Sequence, residues 1–371
     1  MRRVVLLVVS IIILLVALLC AQIYQSGGVL VFIGDCIIMY NRFTGFKPEP
    51  GNSERYNAVL RITSLLPFKT AQSVKDMKTK RQCKDSSMLR PENYFDELQY
   101  TKNGEVPFTL TKFGTSEPPE LTIIFAHGGG MIAGCMREQQ AVSDYTAKIW
   151  MEQFPKLKSI QSANVEYRLL PEHTMVEALK DFVAVYEEML NLHDVDPRRV
   201  VMTGCSGGGA MALYTYLYLL QQTSLPLPGL IVAHSPAPGM EWSSHDFDWE
   251  TTIEWKRSRN NPDAFFFTGE SGRQWGLEWD SESRETLTKW FSDDELISKL
   301  GPNVIITSAE NEMFAATHRN FMTKRPNRAS FLSYPNRTHC LQQSAMALVT
   351  GVDGEQDIDR LFQTIRTVFS V

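Results

Sequence analysis

Much that would assign a 371-residue chain to a familiar class is missing from this one. Cysteine is sparse, six in all, which excludes a disulfide-dense scaffold. No CxxC or HExxH spacing offers a metal site, so no metal is expected. No glycine run completes GxGxxG, and no lysine follows one in the P-loop pattern, so no nucleotide cofactor is implied. Basic excess is absent too: a net charge of −5 leaves no stripe for a phosphate backbone and argues against nucleic acid as a partner. The chain has no internal repeat and no low-complexity tract.

Long apolar runs are lacking as well, with one exception. After Arg2 and Arg3, the stretch Val4 to Tyr24 carries no charge and only Ser10 and Gln22 as clearly polar side chains. As a helix, about 20 residues cross a hydrocarbon core of about 30 Å. The arginines precede it and the next basic residues, Arg42 and Lys47, lie well beyond. Residues 1–28 therefore read as a cytosolic stub and transmembrane signal anchor, with the bulk of the chain on the lumenal side, an endoplasmic reticulum membrane being the expected location. A cleaved signal peptide is the competing reading, but no close small-x-small site follows the apolar stretch. Residues 29–105 read as an N-terminal cap or interfacial region; its apolar patch, Val29 to Tyr40, is short and carries Asp35. Asn336-Arg337-Thr338 is the only N-x-S/T sequon, which makes Asn336 the candidate for N-glycosylation.

From 106 to 371 the chain alternates strand and helix patterns, the order expected of a mostly parallel sheet with helices on both faces. Strands are expected at Leu121 to Ala126, Asn164 to Leu170, Arg198 to Gly204, Gly229 to Pro236, Asn303 to Ala309 and Ala329 to Pro335. Residues 240–299 break the rhythm with six of the seven tryptophans, an aromatic insertion suited to walling a ligand site above the strand ends. Packing of the insertion onto the domain is the blander account of the same rings.

Gly204-Cys205-Ser206-Gly207-Gly208 satisfies G-x-S-x-G between a strand and a helix, where a sharp turn exposes a serine Oγ at the positive end of the helix. Upstream, His127-Gly128-Gly129-Gly130 follows a different strand, as an oxyanion loop would, its glycines leaving backbone N–H groups unobstructed. A serine needs a base. Of seven histidines, His339 follows the last strand in a loop, and the serine, acid, histidine order of this architecture selects it. The acid should follow the penultimate strand, where Glu310 and Glu312 both stand.

Taken jointly, "HGGGMIAGC", "VEYRLLPEH", "DPRRVVMTGCSGGGAMA", "TSAENE" and "YPNRTHC" resemble the hormone-sensitive-lipase family of α/β-hydrolases, and the anchored layout resembles its arylacetamide-deacetylase branch. The resemblance implies an eight-stranded α/β-hydrolase sheet with a cap and hydrolysis of carboxylic esters, some amides or acylglycerols. It implies Ser206 as nucleophile, His339 as base, Glu312 as triad acid and Glu310 as accessory acid. Gly128, Gly129 and Gly207 match the oxyanion hole. His127, Gly130, Gly204 and Gly208 match the supporting motif positions. Two departures stand out: Cys205 occupies a position usually held by Asp, and Glu312 replaces the usual Asp. Cys205 reads as a packing residue, because the turn presents Ser206. The expected activity is that of a membrane-anchored serine hydrolase acting without cofactor on lipophilic esters or amides. The rival reading is a hydrolase-like module that binds small molecules without turnover; a peptidase would want an accessory domain that the sequence does not show.

Overall fold

The computed structural model describes residues 97–369, apart from 116–117, 171, 237–280, 311, 313, 325–329, 336, 338 and 341–354. The expected anchor, almost all of the cap region, five of the six insertion tryptophans and Asn336 lie outside the described residues. Among those described, no helix is long and apolar enough to cross a membrane.

Eight strands form one sheet: β1 (Glu97–Tyr100), β2 (Pro107–Gly114), β3 (Leu121–Ala126), β4 (Ser159–Val165), β5 (Val200–Cys205), β6 (Leu230–His234), β7 (Val304–Ala309) and β8 (Ser330–Tyr334). Their spatial order is β1-β2-β4-β3-β5-β6-β7-β8, with the first two antiparallel and the rest parallel. Among the described residues seven α-helices flank it: α1 (Gln140–Gln153), α2 (Met175–Asn191), α3 (Gly207–Gln222), α4 (Ser281–Ser292), α5 (Asp294–Ser298), α6 (Ala315–Lys324) and α7 (Glu355–Val368).

The central strands β3, β5 and β7 are buried along their whole length, because a parallel sheet sheathed by helices has no wet face. Alternation assigns neighbours to opposite sides. Ile124 and Met202 join the core beneath α2 and α3. Ile123 and Val201 meet Trp150 of α1 and Phe362 and Ile365 of α7. Helix α2 starts at a capping box in which Thr174 accepts from the Glu177 N–H and Glu177 accepts from the Thr174 N–H at 2.8 Å.

Three expectations need correction. The strand expected at Asn164 to Leu170 is instead Ser159–Val165. Its polar residues masked it: buried Gln161 donates to Thr122 at 2.9 Å, and Asn164 donates to the Met136 carbonyl at 2.6 Å. The sheet begins at Glu97, ahead of 106, since β1 pairs with β2. Trp290, the one insertion tryptophan described, is a core residue on α4, alongside Leu287 and Phe291, rather than part of a ligand wall.

Candidate active site

Strand β5 ends where α3 begins, and the turn between them is tight. Ser206 has φ 58° and ψ −121°, a conformation that a non-glycine residue adopts only when its surroundings impose it. Its N–H donates to the His234 carbonyl at 2.9 Å and its carbonyl accepts from Ala210 at 2.9 Å, so strand β6 and helix α3 hold it from two sides. Side chains on Gly204 and Gly208 would each run into the Ala126 carbonyl, so only glycine allows β3, β5 and α3 to converge here. Five described non-glycine residues have positive φ, and four of them rim the carboxyl edge of the sheet: Met131, Ser206, Ser235 and Cys340. Strain gathered at one edge marks a site over-determined by its neighbours.

The loop after β3 comes up beside this turn. His127 is fully buried and stacks on Tyr167 with ring centroids 4.2 Å apart, while the Tyr167 hydroxyl donates to the His127 carbonyl at 2.6 Å. Burial pushes the His127 imidazole down to about 4, against an opposing hydrogen bond with the Gly128 carbonyl. His127 is therefore a neutral brace for the loop. A Cβ on Gly207 would lie 2.6 Å from the Gly130 nitrogen, which shows how closely loop and turn abut. Gly129 takes φ 119°, and its carbonyl accepts from Ile132 at 3.2 Å and Ala133 at 3.0 Å, closing a compact turn. Gly128 departs from expectation. Its N–H donates to Gln139 Oε1 at 2.9 Å, so that amide braces the loop against the start of α1 and is not presented to an oxyanion.

Two elements bring the acid and the histidine together. Glu312 follows β7 by three residues and is buried, and its Oε2 lies 2.8 Å from His339 Nδ1. Its other oxygen accepts from the Ser308 hydroxyl at 2.6 Å and from the Ala309 N–H at 3.0 Å. His318 of α6 closes the network: Nδ1 lies 2.9 Å from Ser308 Oγ and 3.3 Å from Glu312 Oε1, and Nε2 donates to the Pro236 carbonyl at 2.9 Å. Burial alone would raise the Glu312 carboxyl, but hydrogen bonds from His318 and His339, with the favourable electrostatics of the two rings, outweigh it and hold it well below the usual carboxylate range. Glu310 is exposed and joins only through its backbone, its N–H donating to the Tyr334 carbonyl at 3.0 Å. His339 is mostly buried, 13% exposed, with the Phe314 ring set edge-on 5.5 Å away. Arg337 anchors the same loop to α7 through Asp357 at 2.6 Å.

Cys205 is not simply a packing residue. It forms a disulfide with Cys340, whose Cα lies 5.8 Å from its own, across 135 residues of sequence. Cys135 is disulfide-bonded as well. The bridge, His318 and Ser308 are the parts the sequence reading misses. For the bridge a signal exists: each cysteine stands one residue from a triad candidate. For His318 none does, since its role depends on where α6 packs. His234, the residue after Ala233 on β6, is buried and pushed down to about 3 by burial, which makes it unfit as a base. Among the described residues no cluster of His, Cys, Asp and Glu could hold a metal.

Known proteins share this fold. A model of the alpha/beta hydrolase fold matches residues 123–343. Arylacetamide deacetylase-like 3 of Mus musculus is 24% identical over 303 residues, covering 67% of this chain and 71% of the mouse protein. The hyperthermophilic esterase of the archaeon Pyrobaculum calidifontis superposes with a TM-score of 0.62 at 17% identity, over 85% of this chain and 98% of that one. A hormone-sensitive lipase from a metagenome library gives a TM-score of 0.60 at 19% identity, over 85% and 97%.

Proposed function

This chain belongs to the alpha/beta hydrolase fold family, and from that premise we propose that it is a serine esterase working through Ser206, His339 and Glu312. The observation that carries the reading is the buried Glu312–His339 pair, 2.8 Å long, on loops tied to the strained Ser206 turn. His339 takes the Ser206 proton as Oγ attacks the acyl carbonyl carbon. Glu312 accepts a hydrogen bond from the Nδ1–H, which stays on the ring, and so fixes the tautomer and supports the imidazolium that forms. The oxyanion is met by the N–H groups of Gly129 and Gly207, the latter in the first turn of α3, where amides have no intrahelical partner. Such a donor is worth about 3–4 kcal/mol in the transition state. His339 then protonates the leaving group, and water releases the acyl group by the reverse route. Esterases among the structural relatives, and the deacetylase-like name of the mouse relative, support carboxylic esters and arylacetamides as the substrate classes to try first.

We further propose that the apolar stretch Val4 to Tyr24 anchors the chain with this domain on the lumenal side. The disulfide supports that placement, since structural bridges persist in oxidising compartments and are rare in the cytosol. A mobility shift on glycosidase treatment that disappears in Asn336→Gln is the expected sign of lumenal exposure.

The activity is tested with a fluorophosphonate probe and p-nitrophenyl acetate, on the full chain beside Ser206→Ala. Labelling and turnover are expected in the first and absent in the second, with both folded by circular dichroism. Equal labelling of the two, or none in either, overturns the reading in favour of a binding protein without turnover.

A further inference from the structure

The histidine loop has a distance to cover. In the sheet order, β5 and β8 are separated by β6 and β7. At about 4.8 Å per strand, the end of β8 is roughly 14 Å from the end of β5, where Ser206 stands. His339 comes only five residues after Tyr334, the last residue of β8, so the loop must fold back across two strands to serve the serine. Two polar contacts guide it, Arg337 to Asp357 and His339 to Glu312. Both lead to elements on the β7 and β8 side. The covalent link to the β5 turn is the Cys205–Cys340 bridge, whose cysteines immediately precede Ser206 and immediately follow His339. With 3.8 Å per peptide link on either side of a 5.8 Å Cα–Cα span, it confines the Ser206 and His339 Cα atoms to within about 13 Å of each other. Positive-φ residues lie at or beside both ends of the tether, Ser206 at 58° next to Cys205 and Cys340 itself at 60°, a backbone that persists only where its surroundings hold it.

We propose that the Cys205–Cys340 disulfide is a positioning clamp that holds nucleophile and base in register, so that the site turns over efficiently only while the bridge is oxidised. The inference rests on the serine-esterase reading. A dithiol reductant opens the clamp in two exchanges. One thiolate attacks a bridge sulfur, forms a mixed disulfide and releases one cysteine. The second thiol of the reductant then closes its own disulfide and frees the other cysteine. The reductant gives up two electrons and two protons, and Cys205 and Cys340 end as thiols. Reduction leaves the triad's atoms intact and lengthens the leash between them, so kcat falls while substrate affinity, set by the pocket, is largely kept.

The test uses the full chain and p-nitrophenyl acetate, well below the melting temperature of each form. Dithiothreitol is added to wild type in steps, free thiols are alkylated, and modification at Cys205 and Cys340 is mapped by mass spectrometry alongside kcat and KM. The expected result is a loss of at least tenfold in kcat, with KM within about threefold, that tracks alkylation at these two residues. Tryptophan fluorescence should not follow it, and reoxidation should restore activity. The double variant Cys205→Ala/Cys340→Ala, which retains the Cys135 bridge, should show the low kcat from the start and lose no more than twofold further on reduction. If that variant does not fold, the wild-type titration decides alone. A folded protein fully alkylated at both cysteines with kcat within twofold of the oxidised form overturns the clamp. Loss of kcat that tracks unfolding overturns it as well. If oxidised wild type shows no Ser206-dependent labelling, the esterase reading fails and the clamp falls with it, a result distinct from equal activity in both redox states.

Discussion

Glu312 and Glu310 stand two residues apart after the same strand, and the difference between them is one of surroundings. Glu312 is buried with a hydrogen-bond donor on each carboxylate oxygen, whereas Glu310 is exposed. Exchanging Glu312 for Gln keeps its shape but removes the charge that supports a forming imidazolium. The expected loss in kcat is roughly 10²–10⁴-fold. Glu310→Gln should stay within about threefold, and steady-state kinetics on the two variants checks the assignment. Nearly equal losses would transfer the role to a shared effect on the loop. Because the carboxyl of Glu312 is held below its ordinary value of 4.5, it also contributes stability that is present above that value and lost as pH falls through its folded value. The melting temperature of wild type should therefore drop more steeply with acidification below pH 4.5 than that of Glu312→Gln.

At the scale of elements, the site is a meeting of four strand ends. Strands β3, β5, β7 and β8 deliver the glycine loop, the serine turn, the acid and the histidine. Each delivery depends on backbones approaching closely. Gly208 shows how little room there is, since its Cβ would lie on the Ala126 carbonyl, and backbone cannot step aside as a side chain can. Gly208→Ala is expected to cost about 1–3 kcal/mol, or roughly 1–4 °C in melting temperature for a chain of this size, with esterase activity falling as the turn is displaced. Scanning calorimetry and kinetics on one preparation would check both parts. These segments were legible in sequence because a buried parallel strand is a short apolar run, and a strained turn demands glycine at fixed offsets. Strand β4 was not, because its buried Gln161, Ser162 and Asn164 find hydrogen-bond partners elsewhere in the fold, in Thr122, Ser143 and the Met136 carbonyl. A local pattern cannot announce partners that lie elsewhere in the chain.

At the scale of the whole molecule, the described residues include two histidines, His127 and His234, that burial keeps neutral at the carboxyl ends of the strands. His127 is pushed down to about 4 and His234 to about 3, each by burial. Since their folded values lie below the unfolded value of 6.5, the unfolded chain binds more protons between, and stability falls as pH drops from 6.5 toward 4. Acid unfolding should therefore take up about two protons per molecule from these sites in that window. Measuring the midpoint in urea at several pH values would show it, and replacing His234 by Asn should flatten the slope by about one proton. A stability independent of pH over this range would mean that the two rings are protonated in the fold. The bridge acts on the same scale: closing a loop of 135 residues restricts the unfolded chain by about 4–5 kcal/mol on the chain-entropy account.

Some things were determined by the sequence alone: a sheet-and-helix hydrolase architecture, a serine turn, a glycine loop and the serine, acid, histidine order. Each is written in a contiguous stretch, where hydrophobic period and glycine geometry act over a few residues. Three matters were decided only by tertiary structure. They are the contact by which Glu312, the acid that the resemblance implies, reaches His339, the capture of the Gly128 amide by Gln139, and the covalent joining of Cys205 to Cys340. The physical reason is common to all three. A hydrogen bond or a disulfide depends on a separation of a few ångströms between groups that the chain itself holds 11, 27 or 135 residues apart, and packing alone sets that separation.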